Sequence, residues 1–290
     1  MTDDPFVTHR GLLFTVAYEM LGSAADAEDV LQESWLRWAD VDQAQVRDPR
    51  AYLVRIVTRQ ALNHLRTVSR RREEYVGEWL PEPLLTSPDV ADDVELAESV
   101  SIAMLTVLET LGPTERAVFV LHEVFDVPFD EIAEAVDKTP AAVRQIAHRA
   151  RGHVAARRPR IQVERAEQER VIERFLAALN TGDVQGLMDV LAPDVVLVAD
   201  GGGVVTAARR PIVGAEKLGA FLAAGLAQVG TGLTGSPVWL NGAPGARIEI
   251  DGALAGAISL TVENGRITRI YSIVNPHKLA WLDNEAALTR

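Results

Sequence analysis

Apolar residues recur at helical spacing from Arg10 to about Tyr75: Leu12, Leu13, Val16, Ala17 and Met20 form one stripe, and Val30, Leu31, Trp35 and Trp38 another. The pattern predicts a helical domain over residues 1–76. From Gly77 to Glu98 the periodicity lapses into Pro81, Pro83, Pro88 and a run of Asp and Glu with few long apolar side chains, which predicts a flexible, partly disordered acidic linker over 77–100. A second helical block, 101–158, is interrupted at Gly112-Pro113 and Asp126-Val-Pro128, where proline ends one helix and opens the next. Over 159–290 the character changes. A helix with Val171, Ile172, Phe175, Leu176 and Leu179 on one stripe ends near Gly182, and a short helix (184–191) and a longer one (214–229) follow. Period-two segments then appear: Ala246, Ile248 and Ile250 alternate with polar residues, as do Ile258, Leu260 and Val262, and Asn264-Gly265 supplies a two-residue hairpin turn. The fold class is multidomain, with two all-α domains followed by an α+β domain.

Composition narrows the function. The 290 residues are 48% hydrophobic and 24% charged, as expected of two or three globular domains. No apolar run is long enough to span a bilayer and the N-terminus lacks a signal-peptide layout, so a cytoplasmic protein without a membrane contact is expected. The absence of cysteine excludes disulfides, thiolate metal sites and a cysteine nucleophile. A formal net charge of -12 argues against nucleic acid, but its distribution reverses the argument. Arg50, Arg55, Arg59, Arg66, Arg70, Arg71 and Arg72 occupy a stretch without one carboxylate, and so do Lys138, Arg144, Arg149, Arg151, Arg157, Arg158 and Arg160. Two basic faces in an acidic chain imply two separate anionic contacts.

The second basic stretch reads as a helix-turn-helix: Phe129 to Val136, a turn at Asp137-Lys138-Thr139, then Pro140 to Arg151. Ile132, Ala133 and Val136 can face Val143 and Ile146, and Thr139 can cap a helix that opens on Pro140. Arg144, Gln145, His148, Arg149 and Arg151 are left outside, where Arg suits a guanine edge and Gln an adenine edge. An ordinary helical hairpin with a solvated basic face is the plainer reading, and Asp137 stands where such turns often carry Gly.

In the first domain, Asp26, Asp29 and Glu33 fall at helical spacings of three and four in Asp26-Ala-Glu-Asp-Val-Leu-Gln-Glu33. A following helix carries Arg55, Arg59, Asn63 and Arg66 on its polar side. Acidic helix, basic helix, acidic linker and C-terminal helix-turn-helix together resemble the two domains of extracytoplasmic-function sigma factors, over roughly residues 8–156. The resemblance implies core RNA polymerase and promoter DNA as partners. It assigns docking to Asp26, Glu28, Asp29, Gln32 and Glu33; the minus-ten element to Arg55, Arg59, Asn63, Arg66, Arg70, Arg71 and Arg72; and the minus-thirty-five element to Lys138, Thr139, Arg144, Gln145, His148, Arg149 and Arg151. Strand opening of this kind needs no nucleotide hydrolysis, and the chain has no phosphate-cradling P-loop motif.

The order of elements after residue 159 resembles the SnoaL-like, cone-shaped α+β fold, many members of which enclose an apolar pocket. Asp200-Gly201-Gly202-Gly203 and Asn275-Pro276-His277-Lys278-Leu279 resemble the paired signatures DGGGK and NPDKL of sigma factors that carry this domain, with Val204 in place of Lys and His277 in place of Asp. The resemblance implies an intramolecular regulatory contact made by Asp200, Gly201, Gly202, Gly203, Asn275, Pro276, Lys278 and Leu279, and it admits a small-molecule ligand. No cofactor, metal or catalytic residue is expected. The competing readings are a helix-turn-helix transcriptional regulator with a ligand-sensing domain, and a SnoaL-type cyclase or isomerase using Asp200 or His277 as acid or base.

Overall fold

A computed structural model describes residues 4–73, 75–157 and 164–290, with backbone alone for 68–73 and 231. The first helices are α1 (Pro5–Thr8), α2 (Arg10–Leu21), α3 (Ala24–Ala39) and α4 (Pro49–Glu73). Gly22, at φ 67°, closes α2 in the left-handed conformation that costs glycine nothing, and Ser23 caps α3 by accepting from Asp26 N at 3.1 Å. The hydrophobic stripe of α2 is wider than its period suggests. Phe14, Thr15, Tyr18 and Glu19 are buried along with Leu12, Leu13, Val16, Ala17 and Met20, so the helix is enclosed on all sides.

The second helical block comprises α5 (Val94–Val100), α6 (Ile102–Leu108), α7 (Pro113–Phe119), a π-helical turn at Val120–Val124, α8 (Phe129–Val136) and α9 (Pro140–Ala155). Thr139 Oγ1 accepts from Ala142 N at 3.2 Å, and Asp137 adopts φ 55°, taking the left-handed place usually given to Gly. Ile132, Ala133, Val136, Val143 and Ile146 are buried between α8 and α9. The two helical blocks do not stand apart: α4 packs on α7 and α8, α2 on α5 and α7, and their buried residues form one continuous core.

The remainder is α+β: α10 (Arg165–Thr181), α11 (Val184–Val190), β1 (Leu191–Asp200), β2 (Ile212–Val213), α12 (Ala215–Val229), β3 (Leu233–Leu240), β4 (Ala243–Ile250), β5 (Ala253–Glu263) and β6 (Arg266–Ile273). The sheet runs β2-β1-β6-β5-β4-β3, antiparallel except for the β1–β6 pair, one strand in from the β2 edge. Three hairpins turn on Asn241-Gly242, Asp251-Gly252 and Asn264-Gly265, all six residues at positive φ as a type I′ turn requires. Strand alternation divides β1 and β6. Leu197 and Ile270 join the core beneath α10 and α12, whereas Val198, Tyr271 and Ile273 pack on the opposite side with Leu80, Ile102, Leu279 and Leu282.

Leu80 belongs to the segment expected to be a flexible linker, and here the structure corrects the sequence reading. Residues 80–84 are all buried, Leu80 and Leu84 completely. Pro81 and Pro83 have no N–H to satisfy, and the neighbouring donors are bonded to both flanking bodies, Glu82 N to the helical one and Leu80, Leu84 and Thr86 N to the C-terminal domain. Leu80 N donates to Asp200 Oδ2 (2.9 Å), Glu82 N to Gly22 O (2.9 Å), Leu84 N to Asn241 Oδ1 (2.9 Å) and Thr86 N to Trp239 O (3.0 Å). The acidic run is also engaged: Asp92 pairs with Arg165 at 3.2 Å, and Asp93 and Glu95 pair with Arg290. No helix among the described residues is long and apolar enough to cross a membrane.

Candidate nucleic-acid interface and linker latch

The acidic helix α3 buries Val30, Leu31 and Trp38 and turns Asp29, Gln32 and Glu33 outward. Asp26 and Glu28 are half-buried, Asp26 against His64 (3.1 Å) and Glu28 against Arg10 (2.6 Å), while Glu33 Oε2 accepts from Gln60 at 2.6 Å. Trp35, expected to pack inward with Val30 and Leu31, is instead 44% exposed, beside Leu36 at 56%. The outward face therefore combines carboxylates with two large apolar side chains, a pair that the hydrophobic stripe alone did not flag.

On α4, Arg55 and Arg59 do not point into open solvent. Arg55 Nη1 lies 2.5 Å from Glu134 Oε2, and Arg59 Nη2 donates to the Glu134 carbonyl at 2.7 Å, so the first helix of the helix-turn-helix covers this part of the basic face. Asn63 is exposed further along the same helix, near Arg66. The side chains of Arg70, Arg71 and Arg72 lie outside the described residues, as does the 158/159 domain boundary. On α9, Arg144, Gln145, His148 and Arg149 form an exposed row, with Lys138 and the capping Thr139 at its N-terminal end. Arg151, also exposed, is paired with Glu123 at 3.1 and 2.7 Å, which holds the guanidinium pKa above its ordinary value.

The paired C-terminal signatures converge on the linker. Asp200, fully buried, accepts from Tyr75 Oη (2.6 Å) and Gly202 N (3.0 Å) with one carboxylate oxygen. The other oxygen accepts from Leu80 N (2.9 Å) and Lys278 Nζ (2.7 Å). Lys278 also donates to the Leu80 carbonyl, and its ammonium lies 4.0 Å from the Trp79 ring centroid, so this buried charge has a counter-ion, an acceptor and a π face. Asn275 Nδ2 donates to Tyr75 Oη at 2.8 Å, while its Oδ1 accepts from His277 N at 3.1 Å. Burial, with the Asp200 carboxylate adding to it, pushes the Tyr75 hydroxyl pKa up and keeps it a donor. The glycines are steric necessities here, since a Cβ on Gly202 would fall 2.3 Å from Asn275 Nδ2 and one on Gly203 3.0 Å from Val76 Cβ. Val204 and His277, the two departures from the signatures, are exposed.

A second hold, which sequence reasoning missed, lies at the β3–β4 turn. Asn241 Oδ1 accepts from Leu84 N (2.9 Å), while Nδ2 donates to Tyr18 Oη (2.7 Å) and Val100 O (2.9 Å), joining α2, the linker and α5 through one side chain. Tyr18 Oη in turn donates to Glu82 O at 2.6 Å. The Glu82 carboxylate accepts from Ser23 Oγ, Ala24 N and Ala25 N at the start of α3. Burial raises its pKa against these hydrogen bonds. The C-terminal tail completes the enclosure of α2: Thr289 N donates to Thr15 Oγ1 at 3.1 Å, Trp281 packs on Phe14, and Leu288 enters the helical core.

Between the helical blocks, Glu19 of α2 is buried with Oε1 accepting from Ser99 Oγ at 2.7 Å. Arg116 of α7 donates to the Glu19 carbonyl at 2.8 Å and pairs with Glu109. Burial pushes the Glu19 pKa up to about 8, against the smaller opposing effects of Ser99 and Arg116.

Two all-α modules, the second ending in a helix-turn-helix, define a sigma-70-type initiation factor, and two family models match accordingly: Sigma-70 region 2 over residues 6–71 and Sigma-70 region 4 over 101–154. The chain is 39% identical to the ECF RNA polymerase sigma factor SigJ of Mycobacterium tuberculosis, over 94% of this chain and 91% of that protein. SigI of the same organism is 35% identical over 93% and 92%. The crystal structure of M. tuberculosis SigJ superposes with a TM-score of 0.76 at 37% identity, covering 94% of this chain and 96% of that one. The chain belongs to the extracytoplasmic-function RNA polymerase sigma factors, which give the core enzyme its promoter recognition, and it carries their helical domains followed by an α+β C-terminal domain. Neither the helix-turn-helix repressor nor the cyclase accounts for a region 2 module joined to region 4.

Proposed function

We propose that the exposed face of α3, through Asp29, Gln32, Glu33, Trp35 and Leu36 with Asp26 and Glu28 beside them, docks on core polymerase. In this reading α4 serves the minus-ten element through Arg55, Arg59, Asn63, Arg66 and the 70–72 arginines. The row Arg144, Gln145, His148 and Arg149 reads the minus-thirty-five element, with Lys138 and Thr139 at the phosphate end. The C-terminal domain regulates both by holding the linker.

The observation that carries the regulatory part is the position of Glu134 on Arg55 and Arg59. Elements 25 base pairs apart are separated by roughly 85 Å of duplex at 3.4 Å per pair. A basic helix in hydrogen-bond contact with the helix-turn-helix cannot reach both at once. The packed form is therefore a resting state, and the linker must be released for the modules to separate. Asp200 serves as a structural carboxylate in this scheme, saturated by four donors, rather than as an acid or base.

In vitro transcription with purified core enzyme tests the assignment. Asp29→Lys with Glu33→Lys abolishes binding to core polymerase. Arg144→Ala with Arg149→Ala leaves binding intact and removes promoter-specific transcripts. Retained polymerase affinity in the first variant, or equal loss of binding in both, contradicts the division of labour.

A further inference from the structure

The strand pair β1–β6 has a second surface. On the face opposite the linker, Leu197, Ala199, Ile270, Ser272 and Val274 form part of a cavity of about 250 Å³ roofed by α10 and α12. Phe175 and Leu222 contribute to its walls, and Phe221, 42% exposed, stands at its rim. Its lining is apolar apart from the hydroxyls of Thr206 and Ser272, and none of the lining residues is ionisable. A dry apolar cavity of about 150 Å³ accepts a benzene, and sites for drug-sized ligands begin near about 300 Å³. A volume between these suits one or two rings. A carboxylate or ammonium entering such a lining would lose its hydration without gaining a partner.

The cavity is one residue away from the linker latch at two places and joined to it by a loop at a third. Ala199 lines it and Asp200 follows; Val274 lines it and Asn275 follows, with Val274 N donating to Asp200 O at 2.9 Å. The loop after β1 touches both sites: Thr206 and Ala207 line the cavity, while Gly202 and Gly203 abut Tyr75 and Val76 of the linker. That loop has no slack, since a Cβ on Gly201 would fall 2.6 Å from Val205 O and 2.8 Å from Ala207 Cβ.

We propose that this cavity binds a small, uncharged, largely hydrocarbon molecule of one or two rings, and that occupancy is transmitted through β1, β6 and the 201–208 loop to the hold of Asp200 and Lys278 on residues 75–80. The inference rests on the reading that this hold governs the sigma modules. It differs from catalysis in the same domain, because Asp200 faces the linker and His277 is exposed, leaving the cavity without an acid or base.

The test uses the full chain with 2-naphthol and indole as neutral probes and 2-naphthoate as the charged counterpart of the first. Calorimetry gives saturable binding of 2-naphthol, with 2-naphthoate weaker by about tenfold or more. Ala255→Leu and Ser272→Leu, which fill the cavity from β5 and β6, weaken 2-naphthol by about tenfold or more. Hydrogen exchange of the Leu80, Glu82 and Leu84 amides changes when 2-naphthol is added to the wild-type chain and stays constant in the filled variants. Failure of both neutral probes to bind, equal binding of 2-naphthoate, or binding that leaves these amides unchanged overturns the proposal. Transcription by Asp200→Asn without any probe separates the underlying reading: no change there sinks latch control, whatever the cavity binds.

Discussion

The packed arrangement of the sigma modules is held at two kinds of contact that differ in burial and therefore in strength. Between α4 and α8 the Arg55–Glu134 pair is exposed on the Glu134 side, a setting in which ion pairs contribute little. At residues 80–84 the chain is buried and bonded from both sides, and it meets a buried lysine–aspartate pair. The surface contact covers Arg55 and Arg59, while the α9 row is already exposed. In the proposed reading, a weak cover under a strong latch lets one event at the C-terminal domain uncover the α4 face and let the two modules separate.

That contrast breaks most visibly at Asp200. Asp200→Ala leaves the Lys278 ammonium buried without its counter-ion, which costs about 3–5 kcal/mol. The urea midpoint should fall and protease cleavage within 79–86 should rise, whereas a loss under about 1 kcal/mol would place the latch on the weak side of the comparison. Asn241→Gly follows: it keeps the left-handed turn but takes the Asn241 partner away from Leu84 N–H, Tyr18 Oη and the Val100 carbonyl, with Tyr18 Oη still donating to Glu82 O, for a loss of about 2–3 kcal/mol by denaturation.

Glu19 sharpens the comparison through pH. Its pKa near 8 lies above the ordinary 4.5, so the packed state holds a proton that the opened state releases. The stabilisation is complete below about 4.5, erodes as pH rises, and is gone above about 8. Thermal melts at pH 6 and 8.5 should show the wild type losing stability on the alkaline side and Glu19→Gln losing distinctly less. Equal slopes would remove Glu19 from the account. The smallest effect is expected at the surface contact, where Glu134→Ala should cost no more than about 1 kcal/mol in the same melts.

How much of this was legible in the sequence varied with how local the signal was. The helix-turn-helix could be read from Thr139-Pro140 and the periodicity of Ile132, Val136, Val143 and Ile146, because caps and stripes are encoded within a few residues. Asn264-Gly265 was read as a hairpin for the same reason. Asn241-Gly242 carries the same dipeptide, but its side chain's three bonds to α2, the linker and α5 are long-range and leave no local trace. The linker was misread because prolines and acids mimic disorder. Leu80-Pro-Glu-Pro-Leu84 is ordered by partners distant in sequence, Gly22 to Ala25 on one side and Asp200 and Asn241 on the other, and its prolines suit a segment in which alternate N–H groups are spoken for. Trp35 failed differently: it shares a hydrophobic pattern with Trp38, yet the helix has more apolar residues than its buried face can take.

The most direct test of a latched resting state is the separation of the two DNA-facing modules before and after initiation-complex assembly. The chain has no cysteine, so Ala44→Cys and Ala141→Cys, both exposed positions, allow clean pairwise labelling of the α3–α4 loop and α9. The account predicts a short, narrow distance distribution in the free protein that lengthens by tens of Å when core polymerase and promoter DNA are added. An unchanged distance in a transcriptionally active complex would contradict it.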